Sequence, residues 1–188
     1  MNPGSQAVKL GSLGVFLKGQ GIRRDDVQSS GIPCLRYGEI YTRFGDYTDN
    51  LASHVSPSVA SSAIRLEKGD IIFAGSGETK AEIGKCTAWI GDGEAVVGGD
   101  TIILRRHGQD PVYLASLLNT ASVANQKAAR GQGDAVVHIS ARALGDIDLT
   151  LPSLDVQSRI AKTILDTNGL IRRVIQNCFG RTPGQSRR

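Results

Sequence analysis

The sequence predicts an α/β (α+β) fold: a mixed, mainly antiparallel, curled sheet with packed helices, followed by a long C-terminal helix of coiled-coil type. Three observations lead there. Short apolar runs with the period of strands recur between Gly- and Pro-containing turns from Val8 to Leu151. Pro111 stands where the first residue of a helix should be, ahead of an apolar face made by Val112, Leu114, Ala115, Leu117 and Leu118. Beyond Pro152, residues Gln157, Ile160, Ile164, Thr167, Ile171, Val174 and Cys178 follow one another at alternating three- and four-residue spacing, which is the seam of two helices wound together or, alternatively, the apolar face of a helix lying on its own domain.

Taken in order, Val8 to Lys18 predicts a short strand pair, with Leu13, Val15 and Leu17 alternating. A polar loop follows from Gly19 to Gly31, where Lys18, Arg23 and Arg24 face Asp25 and Asp26; it either meets phosphates or is a solvated charged loop. Ile32 to Tyr41 reads as an extended segment opened by Pro33. Here Arg36, Tyr37, Glu39, Tyr41, Thr42 and Arg43 form a dense group of donors, acceptors and aromatic faces. Arg can meet a guanine edge with two N–H groups, Glu can accept from cytosine, and Tyr and Thr can bond phosphate. The alternative puts Tyr37 and Tyr41 in the core and pairs Glu39 with Arg36 or Arg43.

Thr42 to Ser62 is polar and aperiodic, with a short helix at Ser56 to Ser62. Leu66 to Ala74 is a turn at Lys68-Gly69-Asp70 leading into a buried strand. Gly75 to Lys80 is then either a loop whose N–H groups approach a phosphate or base, or a wide hairpin turn. Lys85 to Ile90 and Ala95 to Val97 predict strands joined by a tight turn at Gly91-Asp92-Gly93. Gly98-Gly99 predicts a bulge or a close approach of chains before the strand Thr101 to Arg106. A second helical piece covers Val123 to Arg130. The Gly131–Gly133 loop leads into the apolar run Ala135 to Ile139, and Ile147, Leu149 and Leu151 alternate as a half-buried strand. Ser153 stands at the N-cap of the last helix.

The composition narrows the function classes. No run of about 18 apolar residues exists to span a membrane. The polar start MNPGSQA lacks the apolar region of a signal peptide, so the expected compartment is the cytoplasm. Cys34, Cys86 and Cys178 are too few and too irregular for a disulfide framework or a zinc knuckle. Three of the net +4 charges come from Arg181, Arg187 and Arg188 in the tail, so clustering of the remaining basic residues matters more than the total. His54, His107 and His138 sit at no metal-ligand spacing, and His138 reads as a core or loop-bracing residue before a catalyst. There is no phosphate loop of the Gly-Lys-Ser/Thr kind, no nucleophile elbow, and no Asp-Pro-Pro-Tyr or Asn-Pro-Pro-Tyr methyltransferase motif. The expectation is a binding protein with no cofactor and no metal.

The run LPSLDVQSRIAKTIL resembles the boundary between the target-recognition domain and the spacer helix in specificity subunits of type I restriction–modification systems, through Leu151, Pro152, Leu154, Asp155, Gln157, Ile160 and Ala161. Val156 departs from that pattern, which is usually acidic there. Leu10, Gly11, Leu13, Gly14, Lys18 and Gly19 resemble the opening of such a domain; Ile32-Pro33 with Gly38-Glu39, Leu66 with Gly69-Asp70, and Leu118-Asn119 resemble later motifs. The resemblance covers Val8 to Val174.

It implies a recognition domain over residues 1–152, a spacer and dimerisation helix over 153–179, and a disordered basic tail over 180–188. It also implies a non-catalytic subunit that reads one half of a bipartite double-stranded DNA target and docks methyltransferase subunits, with a restriction subunit as a further partner. Full-length members carry two such units in tandem, so a single unit is expected to homodimerise. The residues this places at DNA are Lys18, Arg23, Arg36, Tyr37, Glu39, Tyr41, Thr42, Arg43, Ser76, Gly77, Glu78, Thr79, Lys80, Lys85 and His138. Those at the dimer are Ile160, Ile164, Thr167, Ile171 and Val174. An oligomerising adaptor and a silent recombination cassette are the competing readings. Clustering of Lys18, Arg36, Arg43, Lys80 and Lys85 on one face separates them from a DNA reader.

Overall fold

The computed structural model describes residues 5–179. The basic tail expected over 180–188 lies outside the described residues. The chain begins with β1 (Gln6–Lys9), β2 (Val15–Lys18) and β3 (Ile32–Leu35), then α1 (Tyr37–Thr42), β4 (Tyr47–Thr48), β5 (Ser53–Val55) and α2 (Pro57–Ala60). Next come β6 (Ile64–Arg65), β7 (Ile71–Ala74), β8 (Ser76–Gly77), β9 (Cys86–Trp89), β10 (Val96–Val97) and β11 (Thr101–Arg105). The last part holds α3 (Pro111–Leu118), α4 (Ala121–Ala128), β12 (Val137–His138), α5 (Ala141–Gly145), β13 (Asp148–Leu151) and α6 (Leu154–Phe179).

The central sheet has the order β2-β11-β7-β9-β4, and a second has the order β5-β3-β10-β6. Only the β3–β10 and β4–β9 pairs are parallel; the rest are antiparallel, as expected. The central sheet is covered on both faces, which is why Ile71–Ala74 of β7 and Ile102–Leu104 of β11 are continuous apolar runs. Ile71, Phe73, Ile102 and Leu104 face a core shared with α3, α4 and α5. Ile72, Ala74 and Ile103 face a second core with Leu35, Val97 and Ile40 of α1. Side chains of successive strand residues point to opposite faces, so a strand between two cores is apolar at successive positions along its centre.

Several strands pair differently from the expectation. β1 and β2 do not pair with each other: β1 joins β13, and β2 joins β11. A turn of 3₁₀ helix at Leu10–Ser12 separates them and buries Leu10. β9 and β10 likewise lie in different sheets, so Gly91–Gly93 is no hairpin. Tyr37–Thr42 is a helix where extended chain was expected. The Gly75–Lys80 segment is no wide hairpin turn, since Ser76–Gly77 pairs with Val137–His138. The helix α5 was not foreseen; Ser140 Oγ accepts the Ala143 N–H to start it. Pro111 does open α3, with Asp110 as its N-cap. Cys34 and Cys86 are buried free thiols, and burial pushes Cys86 up to about 12.

A polar corner ties the sheet to the last helix. Asp70 is 1% exposed and takes Nε and Nη2 of Arg105 at 2.9 and 2.7 Å. Arg105 also reaches Glu67 and the Arg65 carbonyl. One step along, His107 Nε2 lies 2.8 Å from the Gly69 carbonyl, while Nδ1 accepts from Gln109 N. These two contacts assign the proton to Nε2 in a neutral ring. Gln157 of α6 closes the corner: it is 1% exposed, accepts from Asp110 N, and donates to Gln109 Oε1 and the Pro152 carbonyl.

The first turns of α6 therefore belong to the domain. Gln157 and Ala161 are buried, and Ile164 is half-buried against the same core as α3. Two residues of the expected seam, Gln157 and Ile164, face the chain's own domain. The physical reason is that small Ala161 lets α6 approach α3, and this turns Ile160 outward. Ile160, Thr167, Ile171 and Val174 are exposed, as are Leu165, Leu170 and Ile175. No helix among the described residues is long and apolar enough to cross a membrane.

Replacing Arg105 with Met is expected to lower stability by about 3–5 kcal/mol in chemical denaturation, because it leaves the Asp70 carboxylate buried without its cation. Burial holds His107 below its ordinary value of 6.5. Its neutral form therefore stabilises the fold above that pH, and this contribution is lost as the pH falls through the lower folded-state value. Melting temperatures of wild type and His107→Gln measured from pH 8 to pH 5 should diverge at the upper end and converge at the lower.

Candidate nucleic-acid interface

The site is built around α1. Arg36 has extended backbone and serves as its N-cap, and the Glu39 carboxylate turns back to accept the Arg36 N–H at 3.1 Å. Glu39 N in turn donates to the Arg36 carbonyl. This reciprocal arrangement closes the first turn of the helix. A Ser, Thr, Asp or Asn at position 36 would have signalled it; Arg does not. Glu39 is 4% exposed and also accepts from Ser53 Oγ at 2.7 Å. The carboxylate expected at a base edge is thus buried as the clamp of α1, and it lies near both Arg36 and Arg43, the partners of the alternative reading.

Three clefts adjoin around this helix. The first is lined by Arg23, Arg24, Arg36, Tyr37, Thr42 and Arg43, with Glu39 at its floor. The second shares Tyr37 and Thr42 and continues over Tyr41, Ser76, Gly77 and Glu78 to Glu82 and Val136. The third shares Ser76 with the second and Asp100 with the first, and adds Lys18 and His138. Residues up to 120 positions apart are thus gathered on one continuous surface, from Lys18 to His138.

Close backbone approaches make this gathering possible. A Cβ on Gly98 would stand 2.9 Å from Ile22 Cβ, so the glycine lets the loop carrying Arg23 and Arg24 lie against the turn before β11. A Cβ on Gly77 would stand 2.6 Å from the Tyr41 hydroxyl. That hydroxyl donates to the Ser76 carbonyl at 3.0 Å and binds α1 to β8. Burial, with Glu82 and Tyr37 nearby, pushes Tyr41 up to about 12. His138 is exposed and braces the same strand pair, its Nδ1 2.9 Å from Ser76 Oγ. The Gly75 N–H is not offered to an anion, because it donates to the Asp100 carbonyl at 2.7 Å. Asp100 itself holds a left-handed backbone, φ 55°, which costs energy for a residue with a Cβ.

The remaining expected residues fall elsewhere. Lys85 turns behind α1, with Nζ 3.4 Å from the Tyr41 carbonyl. Thr79 and Lys80 are exposed beyond the clefts, at the start of the turn 80–84. Glu82, Asp100 and Val136 were not among the expected residues, and only the topology brings them in.

No protein-family model matches the sequence, and no curated protein matches it significantly. Solved structures do match. A chain from a type I R-M system, studied for its complex assembly and conformational transition, superposes with a TM-score of 0.64 at 18% identity over 94% of this chain and 41% of that one. The HsdS subunit from Thermoanaerobacter tengcongensis gives 0.60 at 17% identity over 97% of this chain and 41% of that chain. The Type-I restriction-modification S subunit from M. genitalium gives 0.62 at 13% identity over 94% and 42%. The fold is that of a type I restriction–modification specificity subunit. The described chain spans about two-fifths of the length of these solved chains. Within this specificity-subunit fold, the α1 clefts are where the basic, aromatic and hydroxyl side chains converge.

Proposed function

We propose that this chain is the DNA-reading unit of a type I restriction–modification specificity subunit. It reads one half of a bipartite double-stranded target through the clefts around α1. It is non-catalytic, and it docks methyltransferase subunits that do the chemistry. The observation that carries the reading is the convergence of Arg23, Arg24, Arg36 and Arg43 with Lys18, Tyr37, Thr42 and His138 on one surface, in a fold shared with specificity subunits. Arginine forks and hydroxyls suit phosphate and base-edge contacts, and a basic cleft attracts the DNA backbone.

The second half-site falls to a second unit. The exposed apolar residues Leu170, Ile171, Val174 and Ile175 on the last turns of α6 support homodimerisation through this helix. A two-fold symmetric pair reads a symmetric target, with half-site spacing set by the helices.

Two readouts on the 188-residue chain test this. Binding to mixed-sequence duplex DNA should weaken steeply with salt, and the double variant Arg23→Ala, Arg24→Ala should weaken it further and reduce the salt slope by about 1 to 2. Light scattering should give a dimer that Ile171→Asp converts to a monomer. Absence of duplex binding by a well-folded dimer would favour the adaptor reading instead.

A further inference from the structure

Glu39 does more than cap a helix. Its carboxylate stands between two guanidinium groups: Oε2 lies 3.8 Å from Arg36 Nε, and Oε1 lies 3.8 Å from Arg43 Nε. The carboxylate is itself fixed from two directions, by Ser53 Oγ of β5 on Oε1 and by the Arg36 backbone N–H on Oε2. Both arginines line the same cleft, with Glu39 between them. Among the described residues neither guanidinium makes a hydrogen bond, and Arg36 Nε is buried without a partner. At 3.8 Å the pairs are ionic contacts and not hydrogen bonds. Both guanidinium groups thus stand beside one fixed carboxylate, with their donors free of hydrogen bonds among the described residues.

An arginine alone on a surface grips any phosphate within reach. An arginine restrained beside a fixed carboxylate keeps its paired N–H groups for paired acceptors such as the O6 and N7 of guanine. We propose, resting on the DNA reading above, that Glu39 is a positioning residue which aims Arg36 and Arg43 as a pair at base-edge acceptors and restrains them from indiscriminate phosphate contact. Arg23 and Arg24, farther along the same cleft and without this clamp, hold the backbone.

The test uses the full 188-residue chain, a duplex that it selects from a random pool, and an unselected duplex of equal length. Binding is read by fluorescence anisotropy over a salt series, and folding by circular dichroism at the same temperature. Glu39→Gln should lower the preference for the selected duplex roughly tenfold, leave binding to the unselected duplex at least as tight, and leave the salt slope no shallower. Glu39→Asp, which keeps the charge, should restore part of the preference. Ser53→Ala, which loosens the carboxylate without removing its charge, should move the preference in the same direction and stands in if Glu39→Gln does not fold.

A merely structural Glu39 would weaken both duplexes together, in proportion to the folded fraction, with the preference intact; that result overturns the proposal. So does a folded variant whose preference is kept while its slope becomes shallower by about two, because Arg36 and Arg43 would then be phosphate contacts. A wild-type chain that binds duplexes without preference sinks the positioning role alone. One that binds no duplex sinks the DNA reading and this role with it.

Discussion

The Asp70–Arg105 pair is the contact on which the rest of the chain is hung. It joins the start of β7 to the end of β11, the two strands at the heart of the central sheet. A carboxylate with almost no solvent contact needs a partner that can fill both oxygens, and the planar guanidinium does so in one geometry. That geometry sets where the chain leaves β11. His107 then fastens the exit to Gly69, Asp110 caps α3, and Gln157 binds the same loop to the root of α6. The direction in which the long helix leaves the domain is thus traceable, contact by contact, to one buried ion pair.

The α1 surface depends on a second buried carboxylate in the same way. Glu39 was legible in the sequence as part of a polar group with Arg36, Tyr37 and Arg43, and its pairing with the two arginines could be weighed there. That it is buried could not. Burial follows from α1 packing Ile40 into the core between the two sheets, where Leu35 and Ile72 also lie. Once Ile40 points inward, Glu39 beside it is drawn under the surface, and its charge must find Ser53 and the two guanidinium groups. The arginines were recognisable by type; the common clamp under them belongs to the packing.

The long helix is covered by the domain along only part of its length. Its first turns give Gln157, Ala161 and Ile164 to the domain, while its last turns carry Leu170, Ile171, Val174 and Ile175 in the open. A helix rooted in this way has its direction fixed relative to the α1 surface by the contacts of its first turns. The spacing of apolar residues correctly announced a helix with an apolar face. It did not tell which turns were already occupied, because Gln157 and Ile164 fit a seam and a domain contact equally well.

The sequence by itself determined what depends on neighbours in the chain. The apolar runs Ile71–Ala74 and Ile102–Leu104 had to be strands, Pro111 had to start a helix, and the segment after Pro152 had to be a long one. Only the tertiary structure decided which strands pair across long separations. It sent β1 to β13 and split β9 from β10 between two sheets. It also made one surface of Lys18, Arg23, Arg36, Ser76 and His138. Periodicity records which residues share a face, since that follows from the local geometry of a helix or strand. It carries no address for the partner, which is set by how apolar faces far apart in the chain fit together and by glycines, such as Gly77 and Gly98, that let them come close enough.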